Sequence, residues 1–370
     1  MDRRAFLKAF AVALGSPRVV LAEEGLLRRV GSPQDLETPL AYFDRLVTPT
    51  EMFFVRSHFG PPSLDRSRTL TVDGLVKRTQ SLTTDEMKEI WKETTVTAVL
   101  QCAGNGRGLQ SPKVPGVQWG HGAMGQAVFG GVPLRTLLDR GGVAPEAQFV
   151  HLIGADAPPK PEVPAFVRSI PIARAMDPST LVAWSMNGEP LSLAHGAPLR
   201  LVVPGWAGDH WVKWLVHVAV QKEEADGFYM KTAYKIPTEP VAPGASVPPE
   251  KMRSLTTLPV KSVIAKPADG GKAAPGPQEI AGCAFSGEAA IDKVEISIDD
   301  GKTWTAAKLE GDPGAGKWIV FRHRFDAQKG RVTALAKATD KKGNAQPRTP
   351  AWNPSGYFWN AWHSVSWEVA

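Results

Sequence analysis

VLQCAGNGRG, residues 99–108, runs a short apolar stretch into a cysteine and then into small residues, an asparagine and an arginine. An apolar run that ends in glycines reads as a strand closing on a tight turn. Glycines there let a backbone approach a large ligand closely, and they leave the Cys102 sulfur facing whatever fills the space above the turn. Three readings of that sulfur stay open: an inert small core residue, an activated nucleophile, or a thiolate ligand to a soft metal. A nucleophile needs a nearby base, and Arg107 stays protonated. Arg107 suits an anionic substrate instead, because its fork offers paired donors to an oxyanion.

The surrounding chain has 370 residues, 43% apolar and 22% charged, enough for about two globular domains. Its 32 prolines and 35 glycines predict many short connections and a β-rich α+β fold with few long helices. The two cysteines, Cys102 and Cys283, exclude a disulfide framework and a tetrathiolate metal site. At the N-terminus, MDRRAFLKAFAVALGSPRVVLAEE pairs Arg3 with Arg4 ahead of a modest apolar run. This predicts a twin-arginine export signal over residues 1–22 and a periplasmic location. Without those residues 39 basic side chains face 36 acidic ones, so the balance falls from +6 to +3. A mildly basic chain without a basic, aromatic-interleaved run argues against nucleic acid as a partner. No other stretch approaches 18 consecutive apolar residues, so no membrane span is expected.

Residues 23–245 read as one mixed unit, with strands at TLTVDGL and FVHLIGA and a Thr-led helix at SLTTDEMKEIWK. The proline-rich IPTEPVAPGASVPPEKM marks a strap or boundary. From 246 to 370 the texture changes to alternating runs such as PVKSVIAKP, QEIAGCAFSG and WIVFRHRF. With turns at DDG and KKGN, this is how an immunoglobulin-like β-sandwich of about a hundred residues presents itself.

Other segments gather groups that could work beside Cys102. FFVRSHFG, read as a strand, sets Arg56 and His58 on one face. LAHGAPLRLVVPGWAGDHWVKWL carries His195, Arg200, His210 and Lys213 around the Pro204–Gly208 turn, with Trp206, Trp211 and Trp214 close by. One thiol joined by several fixed cations and aromatic rings is suited to holding an extended anion beside a metal or cofactor.

FFVRSHF, LQCAGNGR, GVQWGHGAMG, SIPIARAMDPSTLVAWSMNGEPLSLAHGAPLRLVVPGWAGDHWVKWL and the closing WNPSGYFWNAWH resemble the sulfite oxidase family of molybdenum enzymes. The likeness covers nearly the whole chain after the leader and is nearest to the exported bacterial sulfite dehydrogenases. It implies a molybdopterin-binding catalytic domain followed by an immunoglobulin-like dimerisation domain. Cys102 would be the protein ligand to molybdenum. His58, Asp156, His195, Arg200, Trp211 and Lys213 would lie along the pterin and its phosphate, and Arg56, Arg107, Trp119 and Tyr234 would form the substrate pocket. The implied reaction is oxidation of sulfite to sulfate by oxygen-atom transfer, with two electrons passed on. The chain shows neither a cytochrome b5 module nor a CxxCH haem motif, so no haem is expected and a separate acceptor such as cytochrome c would take the electrons. A homodimer is the family's usual assembly, although some bacterial members are monomers.

Two departures from the vertebrate pattern stand out. Ala233 precedes the tyrosine where those enzymes have an aspartate, and Ser364 follows AWH where they have a further arginine. A third cation for the pocket would then come from elsewhere, for example Lys235 or Arg348. Competing readings are a molybdenum enzyme for a carrier-bound sulfur compound or a sulfoxide, an exported binding protein with an inert cysteine, and a thiol hydrolase.

Overall fold

The computed structural model describes residues 25–370 except 64 and 66, and the expected export signal lies outside the described residues. The first unit holds strands β1 (Leu27–Gly31), β2 (Gln34–Glu37), β3 (Leu70–Gly74) and β4 (Gln80–Leu82), helix α1 (Thr84–Ile90), then β5 (Thr94–Gln101) and β6 (Met124–Pro133). There follow helix α2 (Leu134–Gly141), β7 (Phe149–Gly154), β8 (Val167–Pro171), β9 (Leu181–Met186), β10 (Glu189–Pro190), β11 (Arg200–Val202) and β12 (Leu215–Gln221). β1 pairs with β2 as a hairpin, and β3 to β12 form two five-stranded sheets. One runs β10-β9-β6-β5 with β11 also on β9, and the other runs β4-β3-β12-β7-β8.

Local chemistry accounts for these elements. Thr83 and Glu86 form a reciprocal capping box, which satisfies two of the first orphan N–H groups of α1. In α2, Leu134, Leu137 and Leu138 share a buried face, and Gly142 at φ 72° ends the helix in the left-handed region. Residues Ala98 to Gln101 of β5 are buried on both faces, so the strand delivering Cys102 is held from either side.

FFVRSHFG does not form the expected strand. It makes a single bridge, Leu36 to Val55, while adjacent Phe53 and Phe54 both enter the core with their rings stacked 5.5 Å apart. Neighbouring side chains on a strand point to opposite faces, so this stacking bends the backbone. The proline-rich segment is a loop whose ends close as a pair of short strands, β13 (Lys235–Pro237) with β14 (Met252–Ser254).

The second unit is an immunoglobulin-like sandwich. Its strands are β15 (Lys261–Lys266), β16 (Lys272–Ala273), β17 (Gly276–Phe285), β18 (Ile291–Ser297), β19 (Thr305–Ala306), β20 (Lys308–Glu310), β21 (Trp318–Ala327), β22 (Gly330–Asp340) and β23 (His363–Val369). One sheet runs β15-β17-β21-β20 and the other β16-β23-β22-β18-β19. The DDG turn lies between paired β18 and β19, with Asp300 and Gly301 both at positive φ. Among the described residues no helix is long and apolar enough to cross a membrane.

The two units share a core seam, in which Phe43, Val99, Ala103 and Met124 pack with Cys283, Phe285 and Trp318. Trp318 N–H donates to Gln126 Oε1 (2.7 Å), Gln126 Nε2 donates back to the Trp318 carbonyl (3.1 Å), and the indole meets Phe43 edge-on at 5.4 Å. Truncating a buried tryptophan leaves a cavity, so Trp318→Ala is expected to cost about 3–5 kcal/mol. The cost reads as a lower denaturant midpoint; a midpoint equal to the parent's would show that the seam carries no stability.

Candidate active site

The turn after β5 is set by backbone bonds before any side chain acts. Cys102 N–H donates to the Ala123 carbonyl (2.9 Å), Gly106 N–H to Gly120 (2.7 Å) and Gly108 N–H to Trp119 (2.8 Å). Asn105 braces it from within, accepting from Ala123 N–H and donating to Gln101. Two glycines are obligatory here. Gly106 lies at φ 88° with Trp359 2.6 Å from where its Cβ would be, and a Cβ on Gly108 would sit 2.8 Å from the Trp119 carbonyl oxygen.

Above the turn lies a cleft whose empty space, its open mouth included, is about 740 Å³. Its wall includes Cys102, Arg56, His58, Asp156, His195, Arg200, Trp211, Lys213 and Tyr234, so nine of the eleven residues singled out in the sequence converge here. The other two stand behind the wall. Trp119 is fully buried in the first core, and Arg107 donates to the Ser355 (2.8 Å) and Val117 (3.2 Å) carbonyls. Neither substitute third cation lines the cavity: Lys235 belongs to β13, and Arg348 pairs with Asp300 at 3.5 Å on an exposed surface.

Among the described residues, Arg200 and Lys213 are held without matching acids. Arg200 donates to the carbonyls of His195 (3.0 Å) and Trp211 (3.4 Å), and its Nε has no partner among the described residues; Lys213 Nζ donates to the Ala194 carbonyl (2.9 Å). Burial lowers Arg200 to about 9. Burial and then Arg200 lower Lys213 to about 7, against the opposing pull of Asp156. Burial, helped by neighbouring cations, brings His58 and His195 to about 3, so both rings are neutral. The Cys102 thiol is pushed up by burial, with Arg56 opposing, which does not fit an activated hydrolytic nucleophile.

Tyr234, at φ 55°, sits with its hydroxyl 3.0 Å from His58 Nε2. Its ring stacks on Tyr357 (5.5 Å, 11°), the Arg107 guanidinium lies over the Tyr357 ring (5.1 Å), and Arg168 lies 5.2 Å from the Tyr234 ring centre. Arg168 was not apparent from sequence. It is fully buried, 2.7 Å from Asp209 and 2.9 Å from His210 Nε2, and nothing in FVRSIP distinguishes it from a surface arginine. Asp35, which pairs with Arg56 at 3.3 Å, was missed as well, because it comes from the hairpin strand β2 with no motif around it.

The residues fit a molybdopterin-type group. Among the described residues no three His, Cys, Asp or Glu side chains converge to hold a metal, so a metal at Cys102 would need ligands carried by an organic cofactor. Arg200 and Lys213, buried on the same wall and held by carbonyls rather than carboxylates, supply what a phosphate-bearing tail requires.

Comparison with known proteins agrees with this chemistry. The family model described as "Oxidoreductase molybdopterin binding domain" matches residues 58–229, and "Mo-co oxidoreductase dimerisation domain" matches residues 252–370. The mitochondrial sulfite oxidase of Mus musculus is 36% identical over 338 residues, 87% of this chain and 62% of that protein. The chain thus spans somewhat under two thirds of that relative's length. The sulfite oxidase of Arabidopsis thaliana is 33% identical over 361 residues, covering 90% of this chain and 91% of that one. Among solved structures, the sulfane dehydrogenase SoxCD from Paracoccus pantotrophus superposes with a TM-score of 0.79 at 27% identity, covering 97% of this chain and 96% of that one.

The lowered Lys213 gives the cavity a pH signature. Unfolding takes up a proton between the folded and ordinary values, so this group's contribution to stability rises with pH across about 7 to 10.5. Inorganic phosphate should therefore raise the melting temperature of the cofactor-free chain more at pH 6, where the amine is charged, than at pH 9. Lys213→Met should raise the melting temperature at pH 6 without phosphate and shrink the phosphate response; an unchanged response would place the anion elsewhere.

Proposed function

This chain belongs to the sulfite oxidase family of molybdopterin oxidoreductases, and from that premise we propose that it oxidises sulfite to sulfate and passes two electrons to an external acceptor. The observation that carries the reading is the shared wall on which the Cys102 thiol, the Arg56 guanidinium and the Tyr234 hydroxyl meet. Cys102 would bind the molybdenum. Lys213, Arg200, His195, His58, Asp156 and Trp211 would hold the pterin and its phosphate. When bound, this group supplies oxygen-atom transfer to sulfur and accepts the electrons.

The chain's own residues then orient and neutralise. Arg56 presents N–H donors to a small oxyanion, and Arg107, held by carbonyls rather than acids, adds positive potential from behind Tyr357. Tyr234 keeps its proton, because burial pushes the phenol well above its ordinary range. It can donate to a substrate oxygen, and neutral His58 can accept at Nε2 and return the proton. Phe166 and Tyr229, ring to ring at 4.9 Å and both against His58, narrow the approach.

In this reading the paired Arg3 and Arg4 direct the folded, loaded protein to the periplasm, where a cytochrome c would collect the electrons. The match to a dimerisation domain supports a homodimer. The sulfane dehydrogenase likeness supports a second reading, in which the sulfur arrives bound to a carrier.

Purified holoprotein should contain stoichiometric molybdenum and reduce ferricyanide and cytochrome c on addition of sulfite. Cys102→Ser should abolish turnover, and Tyr234→Phe should lower kcat by about a hundredfold, the size of a lost general acid. Undiminished sulfite oxidation in Cys102→Ser would remove the reading. Turnover with a carrier-bound sulfur compound but not with sulfite would select the second.

A further inference from the structure

β2 carries two buried acids, Asp35 and Glu37, and lies outside both stretches matched by the family models. Glu37 is spoken for by Arg29 (2.6 Å) and by the Gly120 N–H. Asp35 faces the cavity's arginine instead. Leu36 and Val55 exchange backbone bonds of 2.9 and 3.0 Å, and this one bridge sets Asp35 opposite Arg56. Asp35 Oδ1 then stands 3.3 Å from Arg56 Nη1, which also donates to the Ser57 carbonyl.

Exposure separates the partners. The Asp35 side chain is 2% exposed and that of Arg56 24%, so the acid is sealed behind the arginine while the arginine reaches the cavity. A sealed acid cannot touch substrate, but its charge acts through a medium that screens poorly. It cancels much of the field of Arg56 and leaves its donors directional.

We infer that Asp35, by pairing with Arg56 from behind, tunes the pocket toward singly charged sulfur oxyanions and against doubly charged ones. This rests on the assignment of Arg56 to the substrate pocket. Arg200 and Lys213 are committed to the cofactor in that assignment, which leaves Arg56 as the cation in direct reach of substrate. A bare guanidinium would hold a dianion more firmly than a monoanion, and a dianionic product would be slow to leave. Asp35 acts as a positioning and charge-setting residue, not a catalytic one.

The test is the binding of sulfate and of nitrate to holoprotein by calorimetry, in the parent, Asp35→Asn, Asp35→Ser and Asp35→Glu. Asn keeps the shape and removes the charge; Ser serves should the Asn protein fail to fold. Loss of the charge is expected to tighten sulfate about tenfold and nitrate about threefold or less, since the gain scales with ligand charge. Glu should keep the parent's sulfate-to-nitrate ratio. An unchanged ratio in a folded neutral variant, weaker sulfate binding there, or no sulfate binding in any protein would each overturn the inference. Binding does not require turnover. A protein that fails to oxidise sulfite yet shows the raised ratio would therefore sink the substrate reading and leave Asp35 standing.

Discussion

The structure depends on one electrostatic constraint: Arg56, Arg200 and Lys213 converge on a single cavity, and among the described residues Asp35 is the one carboxylate that pairs directly with any of them. Burying an uncompensated charge costs several kcal/mol even after relaxation. The chain meets that cost with neutral oxygens. Carbonyls of His195, Trp211 and Ala194 receive the Arg200 and Lys213 donors, which positions the groups without cancelling their charge. Carboxylates in those places would have neutralised the cations and closed the site to anions. A site for an anionic cofactor is thus an unfinished ion pair, completed by the ligand.

The same logic extends to the phenols. Tyr234 and Tyr357 stack face to face with Arg168 near the first ring and Arg107 over the second. Cations attract the ring faces, so the stack holds Tyr234 in its left-handed backbone conformation, one that L side chains rarely adopt. Asp209 fastens Arg168 from beneath, at a site where burial drives the acid up and the guanidinium pulls it down. Position and proton retention at Tyr234 therefore arise together from packing.

What the sequence disclosed follows from which interactions are local. The α1 capping box, the DDG turn, the glycine turn after β5 and the alternating strands of the sandwich each have their cause within a few residues, so they were legible. The cavity residues became legible jointly, through long blocks resembling one family. Asp35, Arg168 and Asp209 escaped because their meaning lies in long-range pairs, Asp35 with Arg56 21 positions on and Arg168 with Asp209, which no local pattern joins. The expected strand at FFVRSHFG failed because alternation counts only side-chain type, whereas two adjacent aromatic rings stacking in the core decided the backbone.

The sandwich takes part in the site. Phe358 N–H donates to the Ala103 carbonyl (2.9 Å), Gln110 Nε2 to the Asn353 carbonyl (2.8 Å), and Arg107 Nε to Ser355 (2.8 Å). Residues 353–358, carried by the second unit, thus clamp the turn that bears Cys102 on one side, while residues 119–123, just ahead of β6, clamp it on the other. In the proposed reading Cys102 would hold a metal at fixed distance, which needs a rigid loop, and loops gain rigidity by borrowing contacts from packed elements. Placing the turn at the seam supplies such contacts from both cores at once, so the geometry at the sulfur becomes a property of how the two units meet.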